Sequence, residues 1–381
     1  MNIAQKLADW LETHWITPAY AGWLLMGLAV FFFGAATNTL VGWLYVMSGV
    51  SFALLLVAAI LPARSLKDIE LYRKPIQPVS AGDCLTVDLE IINRTSQPKS
   101  LLQVQDTLPF VLGKPIKSAI ESIAPHGTYK WTYYHPTERR GIYRWETVQL
   151  RTGAPLGLFY CRRSRLCKAT AIVYPTVLPL STCPILDRLG QDQAVRYKSD
   201  RQGFQSATEG ITRGLRPYRV GDPTRLIHWR SSARYGDLRV RELEVISAGQ
   251  EVAIALDSAA KWDLDDFEQA VIAAASLYFY ASRRQMNVQL ATSATGLLQG
   301  HRVVLEALAA TYAGEESIGQ AFGQIPAILL SPNPQQLSSL PRGSRWILWS
   351  QSEGNSSNDF PGLTINREES LQLQLQKLPS Y

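Results

Sequence analysis

The densest chemistry in this chain lies between Gly214 and Glu244, where "GLRPYRVGDPTRLIHWRSSARYGDLRVRELE" gathers seven arginines, one histidine and one tryptophan into thirty-one residues. Arginine carries a planar fork of donors that fits carboxylates and phosphates, and histidine exchanges a proton near neutral pH. Three kinds of chemistry follow. For catalysis, His228 needs an orienting carboxylate within hydrogen-bond reach, and Asp222 or Asp237 could supply it, which defines a hydrolase or transferase. As a recognition surface, Arg216, Tyr218, Arg225, Trp229, Arg230, Arg234, Arg239 and Arg241 would face an acidic partner, a phosphate or lipid headgroups. As internal ties, the same guanidiniums would make forked bonds to carboxylates or carbonyls at the seam of two domains. Asp222, Asp237, Glu242 and Glu244 offset four of the seven charges and leave +3. That balance favours ties for some arginines and leaves others to face outward.

The elements that must hold these groups can be read locally. Asp222 followed by Pro223 is an N-cap followed by a residue suited to the first helical position, so a short helix is expected from Pro223 to about Arg234. It should end near Tyr235-Gly236, with Leu226, Ile227 and either Ala233 or Trp229 facing inward. "LRVRELEV" then alternates as a strand and places Arg239 and Arg241 on one face.

Other catalytic signatures are missing from the sequence. The five histidines form no HExxH, there is no Gly-x-Ser-x-Gly elbow, and no Walker-type phosphate loop occurs. Cys84, Cys161, Cys167 and Cys183 lack zinc-like spacing and are expected as thiols in a reducing cytoplasm, with disulfides in an oxidising compartment as the alternative. No cofactor is expected. The net charge of +6 over 381 residues suits a protein beside anionic lipid better than one that grips nucleic acid.

The N-terminal region predicts a membrane anchor. From Trp15 to Ala63 no Asp, Glu, Lys or Arg occurs, and "ATNT" divides the run in two. Helices are expected at about 19–36 and 40–61, each near the length that crosses a bilayer, with Thr37, Asn38 and Thr39 as the tight connection. A cleaved signal peptide would need an early basic region, and a second apolar run would not follow directly. Arg64, Lys67, Arg73 and Lys74 follow the second helix, so the positive-inside bias places the soluble bulk in the cytoplasm, at the cell inner membrane.

Residues 66–180 read as strands. "CLTVDLEIINRT" alternates at period two, and "SLLQVQDTLP", "TYKWTYYHPTERRGIYRWETVQLRT" and "KATAIVYPTV" follow between Pro, Gly and Asn breaks. This pattern predicts an immunoglobulin-like sandwich with Trp131, Tyr133, Tyr143 and Trp145 as sheet core. Residues 181–213 are polar and mixed in charge and are expected as a linker ahead of the Arg-rich segment, 214–250. From 251 to 381 strands ("EVAIALD", "NVQLATS", "PAILLS", "RWILWS") alternate with helices, which predicts a doubly wound, mostly parallel sheet. Ligands of such sheets bind at the carboxyl ends of strands, which directs attention to Asp257.

The Arg-rich segment, "RRGIYRW...RTGAPLGLF" upstream and "VAIALDSAAKWDLDDFEQAVIAAASLYFYA" downstream together resemble domain-of-unknown-function family 58, over most of residues 20 to 300. Gly214, Arg216, Tyr218, Gly221, Asp222, Arg225, His228, Trp229, Ala233 and Arg234 carry the family pattern. The resemblance implies a membrane-anchored protein with a β domain and a von Willebrand factor A-like domain, partnered by a MoxR-type AAA+ ATPase. It also raises a metal question. A metal-dependent adhesion site of that domain type uses Asp-x-Ser-x-Ser, because Mg²⁺ prefers hard oxygen ligands in octahedral array. Here the segment reads Asp257, Ser258, Ala259, Ala260, Lys261, so only Asp257 and Ser258 survive, and an ammonium replaces the last hydroxyl. "PAILLS" also ends without a carboxylate. No metal is expected. The sequence thus points to a membrane-tethered, non-enzymatic adaptor that binds a protein partner and the bilayer but no nucleic acid.

Overall fold

The computed structural model describes residues 10, 12–13, 15–189, 211–218, 224, 227–244, 251–317, 325–341, 343–349 and 362–377. The chain forms two compact units, residues 1–174 and 175–381.

In the first unit a two-residue strand, β1 (Thr17–Pro18), leads into an antiparallel pair of helices, α1 (Tyr20–Thr39) and α2 (Gly42–Ser65). Both are long and apolar enough to cross a membrane. Small residues make the seam: Ala29, Ala36, Ser48 and Ala58 are buried, and the Ser48 hydroxyl donates to the Ala29 carbonyl at 3.0 Å. Trp23, Phe31, Trp43, Val46 and Leu56 remain exposed around the outside. The expected connection at Thr37, Asn38 and Thr39 is instead helical. The Thr37 and Thr39 hydroxyls bond back to the carbonyls of Gly34 and Ala35, which satisfies them within the helix, and the chain reverses at Leu40 (φ 55°) and Val41. The second helix also runs one turn past the expected Leu61.

The rest of this unit is built from β2 (Ile69–Arg73), β3 (Val79–Ser80), β4 (Cys84–Asn93), β5 (Lys99–Asp106), β6 (Ile116–Ile123), β7 (Thr128–Pro136), β8 (Gly141–Thr152) and β9 (Phe159–Tyr174). One sheet runs β2-β4-β7; the other runs β9-β8-β5-β6, with β1 and β3 added to β9. Of the seven longer strands, the first, second and fifth share a sheet and the other four share its mate, which is the immunoglobulin-like arrangement. Period-two alternation builds the core: Leu85, Val87, Leu89 and Ile91 of β4 point inward, opposite Val104, Val148 and Leu150. Trp131, Tyr133 and Trp145 are core as expected, and Tyr143 is half-buried.

One polar knot crosses that core. Arg73 of β2 reaches Asp106 of β5 at 2.9 Å, and the same carboxylate accepts from Tyr133 Oη (2.7 Å) and Trp145 Nε1 (3.0 Å). Two sheets are thereby joined through one buried charge pair. Arg73, counted above among the juxtamembrane charges, is an internal tie with a side chain 2% exposed.

In the second unit β10 (Ile211–Pro217), α3 (Trp229–Tyr235) and β11 (Arg239–Glu244) precede a parallel five-stranded sheet. Its strands are β12 (Glu251–Leu256), β13 (Asn287–Thr292), β14 (Ala327–Ser331), β15 (Arg345–Leu348) and β16 (Gly362–Thr364), in the order β13-β12-β14-β15-β16. Helices α4 (Leu264–Arg283), α5 (His301–Ala310) and α6 (Leu371–Gln376) connect or flank them, with a 3₁₀ turn at Pro334–Ser339. On α4, Phe267, Ala270, Val271, Ala274, Leu277, Tyr278 and Ala281 repeat at helical spacing and are buried in the main core. β16 was not expected from the sequence. It is three residues long, and Gly362 packs on Trp346 so closely that a Cβ would lie 2.0 Å from the indole. The expected linker is also partly core: residues 184–189 are helical, and Cys183, Ile185, Leu186 and Leu189 are buried beside α4. Their apolar spacing was masked by the polar residues that follow.

Candidate functional site

The Arg-rich segment folds as a ribbon with a helix inserted in it. β10 and β11 pair antiparallel, with Leu215 opposite Arg241, Arg216 opposite Val240 and Pro217 opposite Arg239. Ile227 bridges to Val240, and both side chains are buried. The start of α3 differs from expectation: it lies at Trp229, and its N-cap is His228, whose ring nitrogen accepts from the Ser231 N–H at 3.2 Å. Asp222 and Arg225 lie outside the described residues. The helix does end at Tyr235, with Gly236 in the left-handed conformation (φ 78°), a geometry that favours glycine.

A serine that the sequence reading passed over holds the ribbon together. Ser232 is 7% exposed; its hydroxyl donates to the His228 carbonyl (3.1 Å) and accepts from the Arg239 N–H (2.8 Å). The His228 N–H donates to the Arg239 carbonyl (2.8 Å), and the Tyr218 N–H to the Leu238 carbonyl (2.8 Å). His228 is therefore committed through its ring Nδ1 and both backbone groups.

The remaining motif residues divide by exposure. Trp229 is 65% exposed, and Arg230 and Arg234, one helical turn apart, are exposed as well. Ala233, expected to face inward, is exposed too, and Ser232 is the helix residue turned to the ribbon. Arg216, Tyr218 and Arg239 are half-buried. Tyr218 and Arg239 line an open pocket of about 350 Å³ together with Gly236, Asp237 and Leu238. The Arg241 side chain lies outside the described residues, so its expected alignment with Arg239 is seen only in the backbone register.

A second polar cluster forms at the carboxyl end of the parallel sheet. The chain leaves β12 toward β13 on one side and returns to β14 on the other, so the crevice of a doubly wound fold opens beside Asp257. Asp257 accepts from the Ser331 hydroxyl at 2.7 Å, and the Ser258 hydroxyl donates to Glu315 at 2.6 Å. Ser258 Oγ also accepts from the Ser293 N–H (3.0 Å), and the Ser258 carbonyl accepts from the Gly314 and Glu315 N–H groups. All four polar side chains are buried, at 8% exposure or less. Glu315 is the residue the sequence reading missed. It arrives from the loop after α5, and only its spacing beyond a helix end could have hinted at it. Beside the cluster, Ala259, Ala260 and Lys261 face Asn333 and Pro334 across an open pocket of about 390 Å³. Among the described residues, His, Cys, Asp and Glu side chains form no group of three able to hold a metal.

Chemically, the first cluster can present an indole and two guanidiniums to a partner. The second has its hydroxyls and carboxylates bonded to one another, and Lys261 lies on the rim of the adjacent pocket.

Comparison with known proteins covers the Arg-rich ribbon and the Asp257–Ser258 end of the second cluster, while Glu315 and Ser331 lie beyond the matched stretch. Residues 214–299 match the family model described as protein of unknown function DUF58. The chain is 25% identical over 267 residues to uncharacterized protein YeaD of Bacillus subtilis (strain 168), which covers 67% of this chain, and it spans 64% of that relative's length. Among solved structures it is similar to the CARDB domain of PF1109 from Pyrococcus furiosus (12% identity, TM-score 0.21, covering 28% of this chain and 94% of that one). It is also similar to BslA, a bacterial hydrophobin (14% identity, TM-score 0.18, covering 29% and 98%). The Arg-rich ribbon from Gly214 onward and the Asp257-Ser258 strand end both lie within the DUF58 match.

Proposed function

We propose that this chain is a membrane-tethered, non-enzymatic adaptor whose α3 surface binds a protein partner. The observation that carries the reading is the division of labour around α3. His228 is spent on capping and ribbon bonds, while the adjacent Trp229, Arg230 and Arg234 are exposed. Tryptophan and arginine are the residues enriched where interfaces concentrate their binding energy, and two exposed guanidiniums complement an acidic partner. By the family resemblance that partner is a MoxR-type AAA+ ATPase, the pair acting in assembly or maturation of other complexes, and the parallel sheet is of the von Willebrand factor A type.

The tether is the α1–α2 hairpin. Helices apolar on every face have lipid as their natural solvent. Arg64, exposed in the last turn of α2, and Lys67, exposed just after it, set the soluble units on the cytoplasmic side of the inner membrane. The alternative, a hydrolase or transferase using His228 with Asp222 or Asp237, finds less support. The His228 ring is bonded to Ser231 and, among the described residues, not to Asp237, while Asp222 lies outside the described residues.

Affinity purification of the full chain in mild detergent tests the proposal. The wild type should retain the ATPase, and an Arg230→Glu/Arg234→Glu variant should lose it. If the wild type brings down no ATPase, or the double variant keeps it, the proposed partner and surface are wrong.

A further inference from the structure

The sandwich meets the helical hairpin at one end, and the turn at that end has an unusual composition. From Gly153 to Cys161 the chain reads Gly-Ala-Pro-Leu-Gly-Leu-Phe-Tyr-Cys, nine residues without a charge. Surface turns are ordinarily polar. Here Leu156 is 46% exposed and Tyr160 37%, and Leu101, whose carbonyl accepts from the Thr152 hydroxyl, adds a third apolar side chain at 65%.

The depth of this turn is fixed by contacts to the helices. The Ala19 N–H donates to the Leu158 carbonyl at 2.8 Å, level with the first turn of α1. Gly22 lets the helix pass so close that a Cβ would lie 2.2 Å from that carbonyl oxygen. Phe159 packs into a cluster with Ala29, Leu55 and Ala58. Beyond Gly22, α1 extends about 26 Å at the helical rise, against a hydrocarbon thickness of about 30 Å. A hairpin that spans the bilayer therefore carries the turn down to the lipid.

A belt of arginine lies directly above. Arg151 and Arg162 face each other across the β8–β9 pair, an arrangement of like charges held by Glu12, which is bonded to both. Arg163 donates to the carbonyls of Thr13 and Trp15, and Arg165 to that of Leu66 at the end of α2. The Arg151 guanidinium lies 4.2 Å from the centre of the Tyr160 ring. An uncharged tip, then an aromatic ring, then arginines is the order of side chains met on passing from acyl chains to headgroups. The backbone of the tip is compatible with that setting: the Gly157 N–H bonds to the Gly153 carbonyl, and the Ala154 N–H to the Thr152 hydroxyl.

We infer that the Gly153–Tyr160 turn is a third membrane-contacting element, a wedge seated at the acyl–headgroup boundary of the leaflet that the hairpin enters. It fixes the depth and tilt of the sandwich on the bilayer. The inference rests on the spanning role proposed for the hairpin.

Nitroxide labels in the full chain separate the two. In a Cys84→Ser background the remaining three cysteines are buried, and single labels are placed at Leu156→Cys, at Val46→Cys on α2 and at Phe110→Cys, which is 98% exposed on the loop after β5. The protein is reconstituted into vesicles of phosphatidylethanolamine and phosphatidylglycerol, and collision with oxygen and with a water-soluble nickel chelate is measured. The Val46 label should be oxygen-dominated and the Phe110 label nickel-dominated. The Leu156 label should be about fivefold less accessible to nickel than the Phe110 label, as expected at the hydrocarbon boundary. If Val46 is lipid-exposed and Leu156 matches Phe110, the wedge is overturned alone. If Val46 itself is open to nickel, the spanning hairpin fails and the wedge with it.

Discussion

The ring Nδ1 of His228 accepts the N–H of Ser231 at 3.2 Å, which makes the one histidine of the Arg-rich segment the N-cap of the helix behind it. A cap can be replaced by another acceptor of similar reach; a general base cannot. His228→Asn should keep thermal stability close to wild type, whereas His228→Ala should cost about 1 kcal/mol, the usual loss of a cap. Thermal denaturation of both variants checks this. Equal destabilisation by the two would remove the capping role.

The Arg73–Asp106 pair makes a sharper prediction about the sandwich. Asp106→Ala leaves a buried guanidinium without its counter-charge and should cost about 3–5 kcal/mol. Replacing both partners, Arg73→Met with Asp106→Leu, should recover a large part of that loss, because a buried pair is weakly stabilising against apolar residues of similar volume. Denaturant titration of the single and double variants decides it, and a double variant worse than Asp106→Ala would contradict the account.

At the sheet's carboxyl end, Asp257 and Glu315 are each occupied by a serine hydroxyl. Removing the acceptor strands a buried hydroxyl, so Glu315→Ala should destabilise by about 1–3 kcal/mol. Millimolar Mg²⁺ should leave the wild-type melting temperature unchanged. A rise with Mg²⁺ that Asp257→Asn abolishes would show that these carboxylates gather a cation.

The thiols predict a pH dependence. Burial is the main cause that pushes the Cys183 thiol from its ordinary 9.0 up to about 12, and burial likewise raises Cys161. A group with a raised folded value contributes stability that is intact below its unfolded value and is lost as pH rises through the folded one. Stability should therefore fall between pH 9 and 12, by up to about 1.4 kcal/mol per pH unit for Cys183. At pH 8 a maleimide should modify the exposed Cys84 and spare the three buried thiols until the chain is unfolded.

How much of this was legible in the sequence depends on the range of the signal. Charge-free residues from Trp15 to Ala63, the alternation in β4 and the Gly236 stop are local, and each marks an element the structure contains. The start of α3 was not legible, because histidine is an uncommon cap and Asp222-Pro223 offered a commoner one. Glu315 was not legible either, since 57 residues separate it from Ser258 and only the closure of the sheet brings them together. Arg73 looked like a membrane-flanking charge until its partner on β5, 33 residues away, came into view.

The central claim is that α3 presents a binding surface rather than a catalytic histidine. Its most direct test is the affinity of the full chain, in lipid nanodiscs, for the proposed partner ATPase, measured for wild type, His228→Asn and Arg230→Glu/Arg234→Glu. The account predicts that His228→Asn binds as the wild type does, and that the double reversal weakens binding by about tenfold or more, as expected for exposed interface arginines. Binding that survives the double reversal while His228→Asn abolishes it would contradict the account.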